Sequence, residues 1–355
     1  MTEKFTLKND SLEGGVGIFI DPPYAVYNQD NLFNLADSTL NRDDQLLPFY
    51  RLREHLLEQG KNVHTADYLS SDKDLTNQNK YFSFGIAENY RKISLDGSAH
   101  LVAFIIMEPP VVAPQLYAEL PALTSLFDHV YVHNIEGHGY SLDGLDLKKL
   151  RKFYWPIPYL GVLKPFWDNK ERLKRIVVIN GSHNPKSRAG ELYSARIHAM
   201  AELAKFGVVD LYGRGWDRWW SRDSLWWPYW SNIKTLLSIY KGACHSKYEV
   251  LQHYDFCLCF ENMEMSGWIT EKIFDCLYAG TIPLYLGAPD ISKYIPANAY
   301  IDCRNFSSWG ELWEYVSSLT AFQIQEMRNA GKSFLDSEEA KLFFASLDNI
   351  VGHTK

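Results

Sequence analysis

Residues 254–289 read Y-D-F-C-L-C-F-E-N-M-E-M-S-G-W-I-T-E-K-I-F-D-C-L-Y-A-G-T-I-P-L-Y-L-G-A-P, and this stretch decides the fold. The apolar run 256–260 has the length of a strand and the composition of a buried one. It stops at the polar pair Glu261 and Asn262. A loop with Ser266 and Gly267 leads to a helix that Thr270 is placed to cap. Ile273, Phe274, Leu277 and Tyr278 recur there at helical spacing, and Gly280 suits its end. A second apolar run, 282–286, closes at Gly287. Strand, loop, helix and strand in this order make a unit of a parallel sheet, so the fold class is α/β. The polar residues of the unit gather at the first strand's carboxyl end, where open α/β sheets bind their ligands.

Glu271 and Lys272 open the helix, where unpaired backbone N–H groups and the helix dipole favour an anion. A lysine there supplies a point charge for phosphate. A carboxylate beside it is a poor phosphate ligand and a good acceptor for ribose hydroxyls. At this level two readings stay open: a nucleotide site, or a carboxylate complementing the dipole beside a solvated lysine.

Four spaced motifs carry a resemblance. F-E-N at 260–262, W-I-T-E-K at 268–272, A-G-T-I-P-L-Y-L-G-A-P at 279–289 and Y-I-P-A-N-A-Y-I-D at 294–302 resemble the C-terminal donor domain of the α-1,3-fucosyltransferase family. The likeness is strong over about 176–306 and weak before residue 100. It implies a GT-B glycosyltransferase with two Rossmann-like domains facing each other across a cleft. Residues 1–160 would bind the acceptor, 170–335 the GDP-sugar donor, and a last helix in 336–355 would pack back across the domains.

The resemblance also implies roles. Glu108, in E-P-P-V-V-A-P, takes the place of the family's proposed base, although Pro109 stands where the family has serine. Arg196, counted back from Gly213 without a gap, falls where the family has an arginine that reaches the pyrophosphate; Ser182 falls near a family serine. A planar guanidinium suits two phosphate oxygens. Lys272 would meet the leaving diphosphate, Glu271 the ribose, and Asn262 would line the donor pocket. Trp268 replaces the family's tyrosine and Met263 the serine of F-E-N-S, which leaves the donor sugar open. The implied reaction is inverting transfer of fucose from GDP-fucose to a glycan or lipopolysaccharide-type acceptor, with no metal and no cofactor. Another GDP-sugar on the same fold, or a non-catalytic nucleotide-sugar or glycan-binding module, are the alternatives.

The rest of the chain fits two domains. At 355 residues, 46% of them hydrophobic, it can bury two cores, and a net charge of −7 argues against a nucleic-acid partner. The first residues, M-T-E-K-F-T-L-K-N-D, lack the apolar core of a signal peptide, and no apolar run reaches transmembrane length. A cytoplasmic, bacterial-type enzyme is expected. The five cysteines contain no C-x-x-C, and Cys257 and Cys259 read as core thiols.

Before the donor half, strands are expected at 16–20, 62–66, 101–107 and 130–133, with helices at 43–59 and 115–127; residues 69–98 are too polar to assign. Asp21-Pro22-Pro23-Tyr24 matches the D-P-P-Y motif of adenine-N6 methyltransferases, but no F-x-G-x-G loop accompanies it, and a strand-end turn is the expected reading. Glu136, His133 and His138 are reserve candidates for acceptor contact against a plain reading as loop residues. Residues 153–169 read as the interdomain connection. The tryptophans of 216–230 suggest an aromatic platform for the acceptor, peripheral contact with the inner face of a membrane, or simple packing over the C-terminal domain. Further strands are expected at 175–180 and 208–212, and helices at 189–206, 234–240, 247–253, 308–318, 321–331 and 336–349.

Overall fold

The computed structural model describes residues 17–69, 79–85, 87–217 and 226–352. The first half is a six-stranded parallel sheet. In chain order it holds β1 (Gly17–Asp21), α1 (Leu47–Glu58), β2 (Asn62–Thr65), β3 (Lys80–Ser83), α2 (Ala87–Asp96), β4 (His100–Ile105), α3 (Pro114–Ala118), α4 (Leu120–Leu126), β5 (His129–Val132) and β6 (Leu150–Lys152). The strands lie in the order β2-β1-β3-β4-β5-β6. A short helix, α5 (Lys164–Trp167), leads into the second sheet.

That sheet contains β7 (Leu173–Ile179), α6 (Tyr193–Ala204), β8 (Val209–Tyr212), α7 (Trp227–Ile239), α8 (Lys247–Leu251), β9 (Tyr254–Phe260), α9 (Glu271–Ala279), β10 (Ile282–Leu286) and β11 (Ile301–Asp302), ordered β11-β10-β9-β7-β8. The helices α10 (Trp309–Ser318), α11 (Ala321–Leu335) and α12 (Glu338–Phe344) complete it. Every strand pair in both sheets is parallel. In each sheet the first strand lies between the second and the third. The strand order therefore reverses between β1 and β3, and between β7 and β9, which is where a crevice opens at the carboxyl ends.

Burial on both faces explains the unbroken apolar runs. All of β9 except Asp255 is buried, and α9 is buried from Ile273 to Ala279. Gly280 ends α9 with φ +70°, the left-handed position that glycine tolerates best. The chain then returns to its beginning. Leu347, Ile350 and Val351 share a core with Phe49, Leu52 and Leu56 of α1. The Arg51 guanidinium lies 3.7 Å over the Phe344 ring, and His55 meets Asp348 at 2.8 Å.

Several expectations need correction. The helix expected from residue 43 begins at Leu47, because Asp43 and Asp44 hold left-handed φ of +52° and +57°. The helix expected over 115–127 is two helices. Pro121 has no N–H to continue the ladder of the first. The final helix is shorter than expected and gives way to a π-turn at Asp348–Gly352. β3, α2 and β6 were not anticipated.

Of the aromatic segment, Trp219 and Trp220 lie outside the described residues. Trp216 and Trp226 are core residues, and the Trp216 indole donates to the Asn180 carbonyl at 2.6 Å. Trp227 is exposed. No helix among the described residues is long and apolar enough to cross a membrane.

Candidate active site in the interdomain cleft

The carboxyl ends of β4 and β9 point into one cavity of about 640 Å³ between the sheets. Glu108, just past β4, lines it from the first domain; Asn262, Trp268, Glu271 and Lys272 line it from the second. A second cavity of about 420 Å³ lies over β7 and β9 and shares Lys247, Glu271, Lys272 and Asp275 with the first.

The start of α9 is built around a buried carboxylate. Glu261, at the end of β9, is fully buried. It accepts hydrogen bonds from the Thr270 amide at 2.8 Å and the Thr270 hydroxyl at 2.9 Å, and from Lys272 Nζ at 3.0 Å. The Thr270 hydroxyl is thus turned to Glu261 and makes no cap bond to α9; the Glu271 carboxylate, on the first residue of the helix, bonds its own amide there instead. Lys272 also donates to Thr270 Oγ1 at 2.8 Å and lies 3.5 Å from Glu271. Burial alone would lower the Lys272 ammonium, but Glu261 and Glu271 outweigh it and hold its pKa above the ordinary lysine value. Burial likewise opposes ionisation of Glu271, but Lys272 and Lys247 prevail and hold it below the usual carboxylate range. Across the cleft, burial pushes the Glu108 carboxyl up, and the pull of Lys272 does not cancel it.

A second cluster joins the two domains. Lys247 lies 2.6 Å from Asp275, whose other oxygen accepts from the Tyr248 hydroxyl at 3.1 Å. The Lys247 amide donates to Asp43 of the first domain at 3.0 Å. Burial would lower the Lys247 ammonium, yet Asp275, Glu271 and Asp43 together raise it. One ammonium cannot fully serve three carboxylates, and Asp275 is pushed up to about 6 by burial against the pull of Lys247. Arg42 adds bonds to the carbonyls of Cys244 and His245, both at 3.0 Å. Sequence reasoning missed Lys247, Asp275 and Asp43; their only signal was a shared position at the carboxyl edges once the sheet order is known.

Gly213 lines the second cavity with φ +140°, and a Cβ there would fall 1.8 Å from the Asn180 carbonyl oxygen. The close approach of β7 and β8 ends requires glycine. Ser182, next to it, donates its amide to the Arg214 carbonyl at 2.9 Å.

Other expected residues are placed elsewhere. Arg196 is buried and outside the residues lining both cavities. Its Nη2 donates to the carbonyls of Phe260 at 2.7 Å and Glu261 at 3.0 Å, which ties α6 to the end of β9. Its role in this structure is to hold Glu261's backbone, a job that three apolar residues before F-E-N could not signal. His133 is a core residue, edge-on to Trp268 at 4.3 Å, and burial lowers its pKa to about 3, so it stays neutral. His138 accepts from the Ser266 amide at 2.8 Å and Asn134 donates to the Ser266 carbonyl at 3.1 Å, so this glycine-rich loop docks one domain on the other. Glu136 is exposed and accepts from the Ile135 amide. None of the three lines the cleft.

Residues 169–326 match the family described as glycosyltransferase family 10 (fucosyltransferase), C-terminal domain. The second domain belongs to glycosyltransferase family 10. Among curated proteins, "Alpha-(1,3)-fucosyltransferase FucT" of Helicobacter pylori is 30% identical over 99 residues, 28% of this chain and 21% of the relative. "GDP-fucose protein O-fucosyltransferase 3" of Xenopus tropicalis is 27% identical over 226 residues, 62% of this chain and 42% of the relative. The chain thus spans less than half of either. A solved α1,3-fucosyltransferase superposes over 100% of this chain and 94% of its own, with TM-score 0.50 and 15% identity. The Anabaena protein Alr3699/HepE, solved with UDP, superposes over 95% of this chain with TM-score 0.53 and 8% identity, covering all of its own chain. These likenesses show the fold alone: a GT-B-type pair of α/β domains, of which the family 10 domain is the second.

Proposed function

We propose that this chain is an inverting fucosyltransferase that transfers fucose from GDP-fucose to a sugar hydroxyl. One observation carries the reading: a carboxyl held above its ordinary pKa, Glu108, faces the Lys272–Glu271 pair at the start of α9 across one cavity. A raised carboxyl suits general base work near neutral pH.

In this mechanism Glu108 takes the proton of the acceptor hydroxyl. The acceptor oxygen bonds to the anomeric carbon of fucose as the bond from that carbon to the phosphate oxygen breaks, through an oxocarbenium-like transition state. The electron pair leaves with GDP. Lys272 and the positive end of α9 meet the growing charge on the diphosphate. Glu271 accepts from the ribose hydroxyls, and Asn262 lines the sugar end. Gly213 borders the nucleoside end over β7 and β8, and Ser182, outside the lining of both cavities, holds the adjoining loop through its bond to the Arg214 carbonyl. Arg196 acts through the Phe260 and Glu261 carbonyls as a positioning residue. Lys272 and Lys247 keep Glu271 ionised.

GDP-fucose turnover, read as GDP release with and without acceptor, tests the proposal. Glu108→Gln is expected to lower kcat roughly 10²- to 10⁴-fold, the usual contribution of a general base, with the Kd for GDP unchanged. Near-normal turnover in that variant would refute the assignment.

A second acceptor reading has its own support. The relative matched over the largest share of this chain among those compared above is the protein O-fucosyltransferase, so a serine or threonine hydroxyl is the alternative to a sugar hydroxyl. Peptide and glycan acceptors assayed side by side separate the two.

A further inference from the structure

The D-P-P-Y turn at residues 21–24 follows β1 beside β3, where the strand order of the first sheet reverses. That crevice is the expected ligand position of an open α/β sheet. The Asp21 carboxylate is not available to a ligand. It is 1% exposed and accepts from the hydroxyls of Tyr81 at 2.5 Å and Ser83 at 3.4 Å, and from Asn89 Nδ2 at 2.9 Å. The Asp21 carbonyl accepts from the Phe84 amide at 2.8 Å. Two prolines then fix φ at the next two positions. The turn is therefore anchored from below and stiff along its length, and what it offers to the cleft is the ring of Tyr24.

Tyr24 lines the cavity that Glu108 lines and is 57% exposed. Burial, and after it the Glu108 carboxylate, pushes the Tyr24 phenol up. Tyr27 stands behind it with ring centroids 6.4 Å apart, and Gln45 donates to the Tyr27 hydroxyl at 3.3 Å. The exposed carboxamides of Gln45 and Gln115 line the same cavity; the Gln45 amide nitrogen also donates to the Leu40 carbonyl at 2.6 Å, so Gln45 offers its oxygen as an acceptor and Gln115 offers both functions. A carboxamide both donates and accepts, as sugar hydroxyls require. A rigid ring with an apolar body and a polar tip matches a pyranose, which has C–H bonds on one face and hydroxyls at its rim.

We infer that Tyr24, backed by Tyr27, is the platform of an acceptor subsite for an uncharged hexopyranose, with Gln45 and Gln115 at its polar rim. This rests on the glycosyltransferase reading above and chooses the sugar acceptor over the peptide one. A sugar acid is disfavoured by Glu108 beside the ring: of the cations that line the cavity, Arg42 is engaged by the Cys244 and His245 carbonyls, Lys247 by Asp275 and Lys272 by Glu261, and Lys186 lies in the field of Glu108 itself. The subsite puts the accepting hydroxyl next to Glu108 and opposite the start of α9.

Saturation-transfer NMR tests this with three probes in the presence of GDP: methyl β-D-galactopyranoside, methyl β-D-glucopyranoside and methyl 2-acetamido-2-deoxy-β-D-glucopyranoside. The expected result is saturation concentrated on the C–H groups of one ring face for at least one glycoside. Tyr24→Ala should weaken that glycoside's Kd roughly fivefold or more, the scale of one lost aromatic contact, while Tyr24→Phe retains it. GDP affinity, measured by calorimetry on the same samples, should not change. Absence of saturation from all three glycosides in a wild-type protein that binds GDP overturns the subsite, as does an unaltered signal in Tyr24→Ala. Saturation of a serine- or threonine-containing peptide with no glycoside signal overturns it in favour of the peptide acceptor. Failure of the wild type to bind GDP is a different result, which defeats the donor assignment itself.

Discussion

The buried pair Lys272–Glu261 predicts a measurable coupling in a double-mutant cycle. Glu261 has no exposure, whereas the Lys272 side chain is 19% exposed. Lys272→Met keeps the buried stem and removes the charge, which leaves Glu261 with only the amide and hydroxyl of Thr270. Removing one partner of a buried ion pair costs roughly 3–5 kcal/mol, and the retained Thr270 bonds put this case near 3. Glu261→Gln keeps an oxygen for the Thr270 amide and frees Lys272 toward Glu271, so its cost is that of a weakened buried hydrogen bond, roughly 1–2 kcal/mol. The double variant buries no charge at either position. Its cost should fall below the sum of the two by roughly 2 kcal/mol, within the range seen for contacting residues. Urea unfolding of the four proteins measures the cycle. Additivity within about 0.5 kcal/mol would show that the two groups do not depend on each other, and the account of α9's start would be wrong.

Gly213→Ala should destabilise the chain by roughly 1–3 kcal/mol and weaken GDP binding, because the new Cβ collides with the Asn180 carbonyl at a φ of +140°. An alanine variant with wild-type melting and affinity contradicts this. Asp275, raised from 3.8 to about 6, binds its proton more tightly folded than unfolded. Its contribution to stability is therefore complete below about pH 3.8 and lost as pH rises through about 6. Asp275→Asn should remove that falling component from the stability profile between these values; a variant with the wild-type slope there refutes the assignment.

Much of the second domain was legible because its signals are local. The run 256–260, the helix from Glu271 to Gly280 and the run 282–286 each carry their own period and punctuation, and the structure places β9, α9 and β10 there. The pairing of Lys272 with Glu261 was not legible: it depends on Thr270 turning back to the strand end, a geometry that no spacing reports. Arg196 shows the opposite failure. Its chain position fits the pyrophosphate role, but its side chain runs under the strand end to two carbonyls. β3 escaped because K-Y-F-S is too short and too polar at its ends to stand out, although Tyr81 and Phe82 are fully buried. His133, a reserve candidate for acceptor contact at the end of an expected strand, is instead a core residue; its place beside Trp268 and Phe153 follows from the packing of the two domains, which is set by tertiary contacts far apart in sequence.

The central claim is that the start of α9 and the adjoining cavities receive GDP. Calorimetric titration of GDP, UDP and CDP with EDTA present tests it most directly, on the wild type and on Lys272→Met. GDP alone should bind to the wild type, and Lys272→Met should bind it at least roughly tenfold more weakly, the equivalent of one lost charge-assisted contact. Equal binding of UDP, or GDP affinity unaffected by loss of Lys272, would contradict it.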